Sequence, residues 1–241
     1  IAQKNASNQK RLTDCLQKIE LSSRHLLNLI NEVLDMSKIE SGTIHLHEEI
    51  VDLNRLMQTI ADMVHSDVQE RRQELELSCR LSGPHQVYGD TVRLQQLLLN
   101  LLSNAVKYTP EQGHIRLELL EKPSNSHGIG CYEFTVQDDG IGMSEEFQQK
   151  LFRPFERAED SRVSQIQGTG LGMAITQNLV RMMNGTIQVE SQLNRGSRFT
   201  VCLYLKQAHR PEPERPYFAA PCPGNVKFSK HQRVLLGEEN S

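Results

Sequence analysis

Three short segments carry residues that could bind a cation, phosphate groups and a flat ring. They are LQQLLLNLLSNAVKYTP at 94–110, VQDDGIGM at 136–143 and QGTGLGMAI at 167–175. Alone, each has an ordinary explanation: a solvated helix stripe, a turn after a strand, or a glycine loop before a helix. Their order, with a polar segment between the two glycine clusters, is far more specific than any one of them.

The first segment predicts a helix with two different faces. Asn100, Asn104 and Lys107 follow one another at helical spacing, apart from an apolar face of leucines. Amide oxygens are hard ligands that suit Mg²⁺, which prefers to share phosphate oxygens and water. The lysine ammonium could contact a phosphate. A plain solvated stripe is the alternative.

The second segment follows a predicted strand at 132–136, and Asp138 continues the parity of its apolar residues. A carboxylate that faces an apolar layer is costly unless it is paired, and an adenine amino group could pair it. Asp139 has the opposite parity and should face away. Gly140 and Gly142 would let the backbone pass close to a flat ring. A tight turn after the strand is the alternative.

The third segment places Gly168, Gly170 and Gly172 before an apolar helix pattern. Free N–H groups and the helix dipole favour an anion there. The spacing is neither that of a P-loop nor the GxGxxG dinucleotide fingerprint. Between the glycine clusters, Phe152 and Phe155 are predicted to be apolar anchors of a mobile lid, or of a loop beside the core.

The surrounding pattern predicts the elements that position these residues. Strands are expected from Ile44 and Leu46, at 75–81 and at 115–119, and a helix follows an Asp52 cap. A hairpin is expected from strands 186–191 and 197–205 around an Asn-Arg-Gly turn. We predict an α+β fold, a two-layer sandwich with helices on one face of a mixed sheet.

Residues 10–39 predict one long helix that ends at Ser41-Gly42. Its apolar or small residues repeat with heptad spacing, widened by Leu27 and Leu34 as a helix bundle requires. The seam is Leu12, Leu16, Ile19, Ser23, Leu26, Ile30 and Val33. The helix either packs on its own domain or belongs to a dimerising hairpin whose first helix precedes residue 1, which the length of the seam favours.

Composition narrows the function classes. The 241 residues include 27 basic and 30 acidic side chains, and no basic stripe indicates nucleic acid. Five scattered cysteines indicate reduced thiols, and no apolar run reaches the roughly 20 residues of a membrane span. Five prolines lie between 211 and 223 and indicate a linker. Because residue 1 is Ile, we expect a partial sequence. Since no apolar run is long enough for a membrane span, we expect no membrane contact by this part of the protein.

Taken together, the motifs resemble a sensor histidine kinase of two-component signalling, within the GHKL or Bergerat-fold ATPase superfamily. The resemblance rests on NLLSNAVKYTP, DDGIGM, LFRPFER, GTGLGMAI and GSRF, with LLNLINEVLDMSKIESG resembling the second dimerisation helix. It covers roughly residues 10–207 and implies ATP and Mg²⁺ as cofactors. It implies domains at 1–42 (partial dimerisation region), 43–207 (ATP-binding), 208–231 (linker) and 232–241, where RVLLGEEN resembles the opening of a receiver.

The resemblance also implies roles for individual residues. Asn104 would hold Mg²⁺ with Asn100 beside it, Lys107 would contact phosphate, and Asp138 would bind the adenine amino group. Gly168, Gly170 and Gly172 would close on the phosphates. The remaining implied nucleotide contacts are Tyr108, Gly140, Gly142, Phe155, Thr169 and Leu171.

Two features of the sequence bear on the reaction. Hydrolytic relatives carry a glutamate one turn before the magnesium asparagine, whereas Asn100 cannot accept a proton, which favours transfer to an enzyme-borne acceptor over water. No HExRTP-type motif surrounds any of the nine histidines, so the acceptor is expected before residue 1. We expect a hybrid, cytoplasmic kinase that forms a homodimer through the N-terminal helix in the full-length protein and has a response-regulator or receiver domain as its partner. Membrane anchoring of the full-length protein is left open. A non-catalytic nucleotide-binding scaffold and a hydrolytic GHKL ATPase are the alternatives, and a pure dimerisation module leaves the glycine clusters unexplained.

Overall fold

A computed structural model describes residues 9–43, 45–82, 85–124, 126–157, 169–208 and 226–227. Its helices are α1 (Gln9–Glu40), α2 (Leu53–Glu70), α3 (Thr91–Tyr108), α4 (Glu145–Lys150) and α5 (Gly172–Met182). Its strands are β1 (Glu49–Asp52), β2 (Glu74–Arg80), β3 (Gln86–Gly89), β4 (His114–Lys122), β5 (Ile129–Asp138), β6 (Thr186–Gln192), β7 (Gly196–Gln207) and β8 (Val226–Lys227).

The described strands form one mixed sheet in the order β1-β3-β7-β5-β4-β2-β8, with β6 also paired to β7. The β2–β4 pair is parallel and the other pairs are antiparallel. Helices α2, α3 and α5 bury their apolar sides in the core that also contains Leu117, Phe134 and Val201. The predicted α+β fold, with helices layered on a mixed sheet, is confirmed.

Acidic caps start the two long helices of this layer. The Asp52 side chain accepts a hydrogen bond from the Arg55 N–H and begins α2, as the sequence predicted. Asp90 caps α3 through the Arg93 N–H, and its second oxygen accepts from the His47 N–H over 2.9 Å. Asp90 therefore fixes both the start of the asparagine helix and the chain that arrives from α1.

The hairpin of β6 and β7 is confirmed, and its turn requires Gly196. This residue has φ +91°, and a Cβ there would lie 1.9 Å from the carbonyl oxygen of Asp138. The turn therefore packs directly on the end of β5, where Asp138 enters the site.

Two strand predictions need correction, and one strand was missed. Leu46 belongs to no strand and packs partly against the core, while Ile44 lies outside the described residues. The first strand begins only at Glu49 and pairs with β3, a strand of four residues that alternation did not reveal. β2 ends at Arg80, one residue before Leu81.

Helix α1 extends to Glu40 and ends at Gly42, which has φ +65°, as predicted. Met36 and Ile39 pack against the core, but most large apolar side chains of the seam are exposed. These exposed residues are Leu16, Ile19, Leu26, Leu27, Ile30, Val33 and Leu34. None of the described helices combines the length and apolarity that crossing a bilayer demands.

Candidate nucleotide-binding site

A cavity of about 320 Å³ lies where α3, the end of β5 and the start of α5 meet. It brings together most of the residues that the sequence singled out. Its lining includes Asn100, Asn104, Lys107, Tyr108, Asp138, Gly142, Thr169, Gly170 and Gly172. Three segments that are far apart in the sequence thus share one pocket, as predicted.

Asp138 is the buried carboxylate of this cavity, with 7% of the residue exposed. Burial raises its pKa to about 6, although backbone N–H groups of Gly140 and Ser197 stabilise the charged form. The predicted parity is confirmed. Asp139 faces away and accepts from the His114 N–H over 2.7 Å. A group that presents an N–H to Asp138 would relieve the cost of its burial.

The glycines of the first cluster are required by contacts within the chain. A Cβ on Gly140 would lie 2.5 Å from the Tyr108 carbonyl oxygen. Gly142 has φ +64°, and a Cβ there would lie 1.9 Å from the Gln192 carbonyl oxygen. The close approach is therefore to the end of α3 and to the hairpin, which position the loop that carries the cavity wall.

The two asparagines of α3 direct their amide nitrogens toward α5. Asn100 Nδ2 lies 3.3 Å from the Gly172 carbonyl oxygen and 3.4 Å from Thr176 Oγ1. Asn104 Nδ2 lies 3.4 Å from the sulfur of Met173. Within the described part of the chain, no donor contacts Asn104 Oδ1, so this oxygen suits a cation in the cavity. The side chain of Asn104 therefore fits a Mg²⁺ ligand, whereas Asn100 ties α3 to α5.

Lys107 and Tyr108 complete the α3 side of the cavity. Burial, and secondly the nearby Arg157, lower the pKa of Lys107, whereas the charge of Glu32 raises it. Burial raises the pKa of Tyr108. A polyphosphate would offer the half-buried ammonium the negative charge that its surroundings only partly supply.

The second glycine cluster leads into α5 as predicted, although Gly168 lies outside the described residues. Gly170 has φ +76°, and a Cβ there would lie 2.8 Å from the backbone of Phe155. Gly172 has room for a Cβ, since its nearest neighbour would be the Asn100 amide at 3.8 Å. Leu171 is fully buried and supplies no side-chain cap to α5.

Phe155 does not anchor its segment, and that prediction is wrong. The residue is 69% exposed and does not line the cavity, while its N–H donates to the Gly170 carbonyl oxygen over 3.0 Å. Phe152 packs partly against the core, as expected. The rest of the predicted lid, residues 158–167, lies outside the described residues.

Three charged lining residues were missed from sequence, namely Glu32, Glu156 and Arg157. Glu32 reaches the cavity from α1, where it accepts a hydrogen bond from the hydroxyl of Thr169. Arg157 lines the cavity from the polar segment after α4. The seam of α1 drew attention to apolar positions only, and nothing in the sequence indicated which face of α1 meets the pocket.

Comparison with known proteins agrees with this geometry. Residues 89–207 match the family described as "Histidine kinase-, DNA gyrase B-, and HSP90-like ATPase". The chain is 40% identical over 186 residues to the signal transduction histidine-protein kinase BarA of Escherichia coli (strain K12), covering 77% of this chain and 20% of BarA. It is 33% identical over 237 residues to the autoinducer 2 sensor kinase/phosphatase LuxQ of Vibrio parahaemolyticus, covering 98% of this chain and 27% of LuxQ.

Among solved structures, full-length ShkA in complex with AMPPNP superposes with a TM-score of 0.68 at 28% identity, covering 83% of this chain and 40% of ShkA. The chain spans between about a fifth and about a quarter of the length of the two curated relatives. Residues 89–207 therefore belong to the family of histidine kinase-, DNA gyrase B- and HSP90-like ATPases, and the chain contains the ATP-binding catalytic domain of sensor histidine kinases.

Proposed function

We propose that the chain is part of a kinase that transfers the γ-phosphoryl group of ATP to a histidine, for relay to an aspartate of a response regulator. The observation that carries the proposal is the shared cavity. Buried Asp138 lies on one side of it, and Asn104 and Lys107 lie on α3. One cavity thus offers an acceptor for an amino group, an oxygen for a cation and an ammonium for phosphate.

In this proposal Asp138 accepts a hydrogen bond from the adenine amino group. Gly140 and Gly142 shape the wall beside the ring, and Tyr108 lines the pocket. Lys107 contacts phosphate. The second glycine cluster closes on the phosphates through Gly168, Thr169, Gly170, Leu171 and Gly172. Because Phe155 donates its N–H to Gly170, it acts through the backbone of that cluster.

Mg²⁺ would be held by Asn104, with Asn100 beside it as a positioning residue that fixes α3 against α5. When bound, the ion supplies positive charge to the phosphate oxygens. Asn100 cannot accept a proton from water, so the arrangement favours transfer to a side chain over hydrolysis. Hydrolysis by a GHKL ATPase is the disfavoured alternative.

We also propose that α1 dimerises with a second copy. Its seven exposed large apolar side chains repeat at bundle spacing, and such a stripe is costly in water. Residues 1–42 would then form a dimerisation region, 43–207 the ATP-binding domain, 208–231 a linker and 232–241 the start of a receiver domain, the partner of the phosphorelay. The cytoplasm, which supplies ATP, is the proposed location.

The test uses ATP that is radiolabelled on the γ-phosphate, with a separately supplied acceptor domain that carries an HExRTP-type histidine. We expect label on that histidine, none on the histidines of residues 1–241, and no transfer by Asp138→Asn. Label on a histidine of this chain would contradict the proposed acceptor. Nucleotide binding without transfer to any acceptor domain would favour the non-catalytic scaffold.

A further inference from the structure

Glu32 of α1 reaches into the cavity that we assign to the nucleotide. Its carboxylate accepts a hydrogen bond from the hydroxyl of Thr169, a residue 137 positions later in the chain. Both side chains line the same cavity as Asn104 and Lys107. An acidic side chain from outside the ATP-binding domain thus lies among the residues proposed to meet phosphate.

The single donor proton of the Thr169 hydroxyl is already engaged in this arrangement. The hydroxyl donates this proton to Glu32, and it accepts a hydrogen bond from the Leu171 N–H over 3.1 Å. Leu171 lies at the start of α5, where no side-chain cap is present and the helix dipole favours negative charge. A phosphate oxygen can accept a hydrogen bond from the Thr169 hydroxyl only after the Glu32 carboxylate has moved away from that hydroxyl.

Glu32 also competes with phosphate for positive charge. Its negative charge raises the pKa of Lys107, the residue whose ammonium group is proposed to meet phosphate, while Arg157 lies near the same ammonium. Asp35, one turn further along α1, instead contacts α3. Its oxygens lie 3.5 Å from Arg93 Nη1 and 2.7 Å from Gln96 Nε2. Two carboxylates of one helix thus hold it against the domain, and one of them lines the cavity.

We propose that Glu32 is an internal competitor of the nucleotide phosphates: its carboxylate occupies their place at Thr169, and ATP must displace it. This inference rests on the proposed function of the cavity. It makes Glu32 a determinant of nucleotide affinity, and it couples occupation of the pocket to release of the adjoining turn of α1 from the second glycine cluster.

The test compares Glu32→Gln with Asp35→Asn in the whole chain, by calorimetry with ATP and by competition with adenosine. Gln keeps the size and a hydrogen-bond acceptor but removes the charge. We expect Glu32→Gln to bind ATP about fivefold more tightly than the wild type, while its adenosine affinity changes by less than about twofold. Asp35→Asn removes the same charge from the same interface, and its ATP affinity should stay within about twofold of the wild type.

An ATP affinity of Glu32→Gln equal to or weaker than that of the wild type would overturn the inference. So would an equal gain in Asp35→Asn or for adenosine, because either would indicate loosening of the interface and not displacement by phosphate. In a Thr169→Val background, Glu32→Gln should increase ATP affinity by less, since the hydroxyl for which Glu32 and phosphate compete is absent. If neither the wild type nor any variant binds ATP although all are folded, the proposed function fails, and the inference fails with it. If ATP binds but its affinity does not change in Glu32→Gln, only the inference fails.

Discussion

The backbone N–H of Gly140 donates a hydrogen bond over 2.9 Å to Asp138 Oδ1, two residues earlier in the chain. This contact fixes the carboxylate at the end of β5 without help from any ligand. Burial nevertheless outweighs it, since the pKa of Asp138 is raised to about 6. The site therefore holds an oriented but poorly solvated acceptor, which is what recognition of an amino group requires.

The raised pKa predicts how nucleotide affinity depends on pH. The ionised carboxylate accepts from the adenine amino group, so binding weakens as pH falls through about 6 and Asp138 becomes protonated. We expect ADP affinity to drop up to about tenfold between about pH 7.5 and about pH 5 in calorimetry.

Asp138→Asn is the matched control, because it is titrated with the same ADP and retains every other titratable group of the protein. Its weak residual affinity should lack the component that titrates near pH 6. Identical pH profiles for the two proteins would show that Asp138 does not contact the nucleotide.

The same shift predicts a change in stability. Because the pKa in the folded state lies above the ordinary value of 3.8, the contribution of Asp138 is fully present below about pH 4 and is lost as pH rises through about 6. Without nucleotide, Asp138→Asn should exceed the wild type in free energy of unfolding at about pH 8 by ~2–3 kcal/mol, an advantage that vanishes near pH 4. Urea denaturation at several pH values measures this difference, and a variant less stable than the wild type at every pH would refute the cost of burial.

Two glycines with similar positive φ angles distinguish the destabilisation caused by a steric clash from that caused by backbone strain alone. Gly142→Ala places a methyl group 1.9 Å from the Gln192 carbonyl oxygen, whereas Gly128→Ala meets nothing within 4 Å at φ +75°. We expect thermal or urea unfolding to give a loss of about 1 kcal/mol for Gly128→Ala and about 3 kcal/mol or more for Gly142→Ala. Equal losses would mean that the contact with the hairpin does not constrain the loop.

Asn104 should account for the dependence of ATP binding on Mg²⁺. Asn104→Ala removes the oxygen that suits the cation, so the ratio of ATP affinities with Mg²⁺ and with a chelator should fall toward one. Ser103→Ala is a neighbouring control on α3 whose hydroxyl donates to the Asn100 carbonyl oxygen, and it should leave that ratio unchanged. An unaltered ratio in Asn104→Ala would remove the residue from the cation site.

Much of the architecture was predictable because its signals are local. Period-two burial marks β4, Asp52 is a side-chain cap, and the Asn-Arg-Gly turn joins β6 to β7. The parity of Asp138 follows from the strand before it. These features depend on neighbouring residues, so the sequence displays them directly.

The errors concern features that only the tertiary structure decides. β3 has four residues and is held by pairing with β1 and β7, which its own sequence does not encode. Leu46 packs on the core without a strand partner. Phe155 has an aromatic side chain but is held in place through its backbone. Glu32 meets Thr169 only because α1 docks beside α5.

Calorimetry of MgATP binding to this chain and to Asp138→Asn tests the central claim most directly. The account predicts binding by the wild type that weakens when Mg²⁺ is chelated, and a loss of about tenfold or more in the variant, since a hydrogen bond to a charged group contributes about 1.5–3 kcal/mol. Equal affinity of the two folded proteins, or no binding by the wild type, would contradict the assignment of this cavity to ATP.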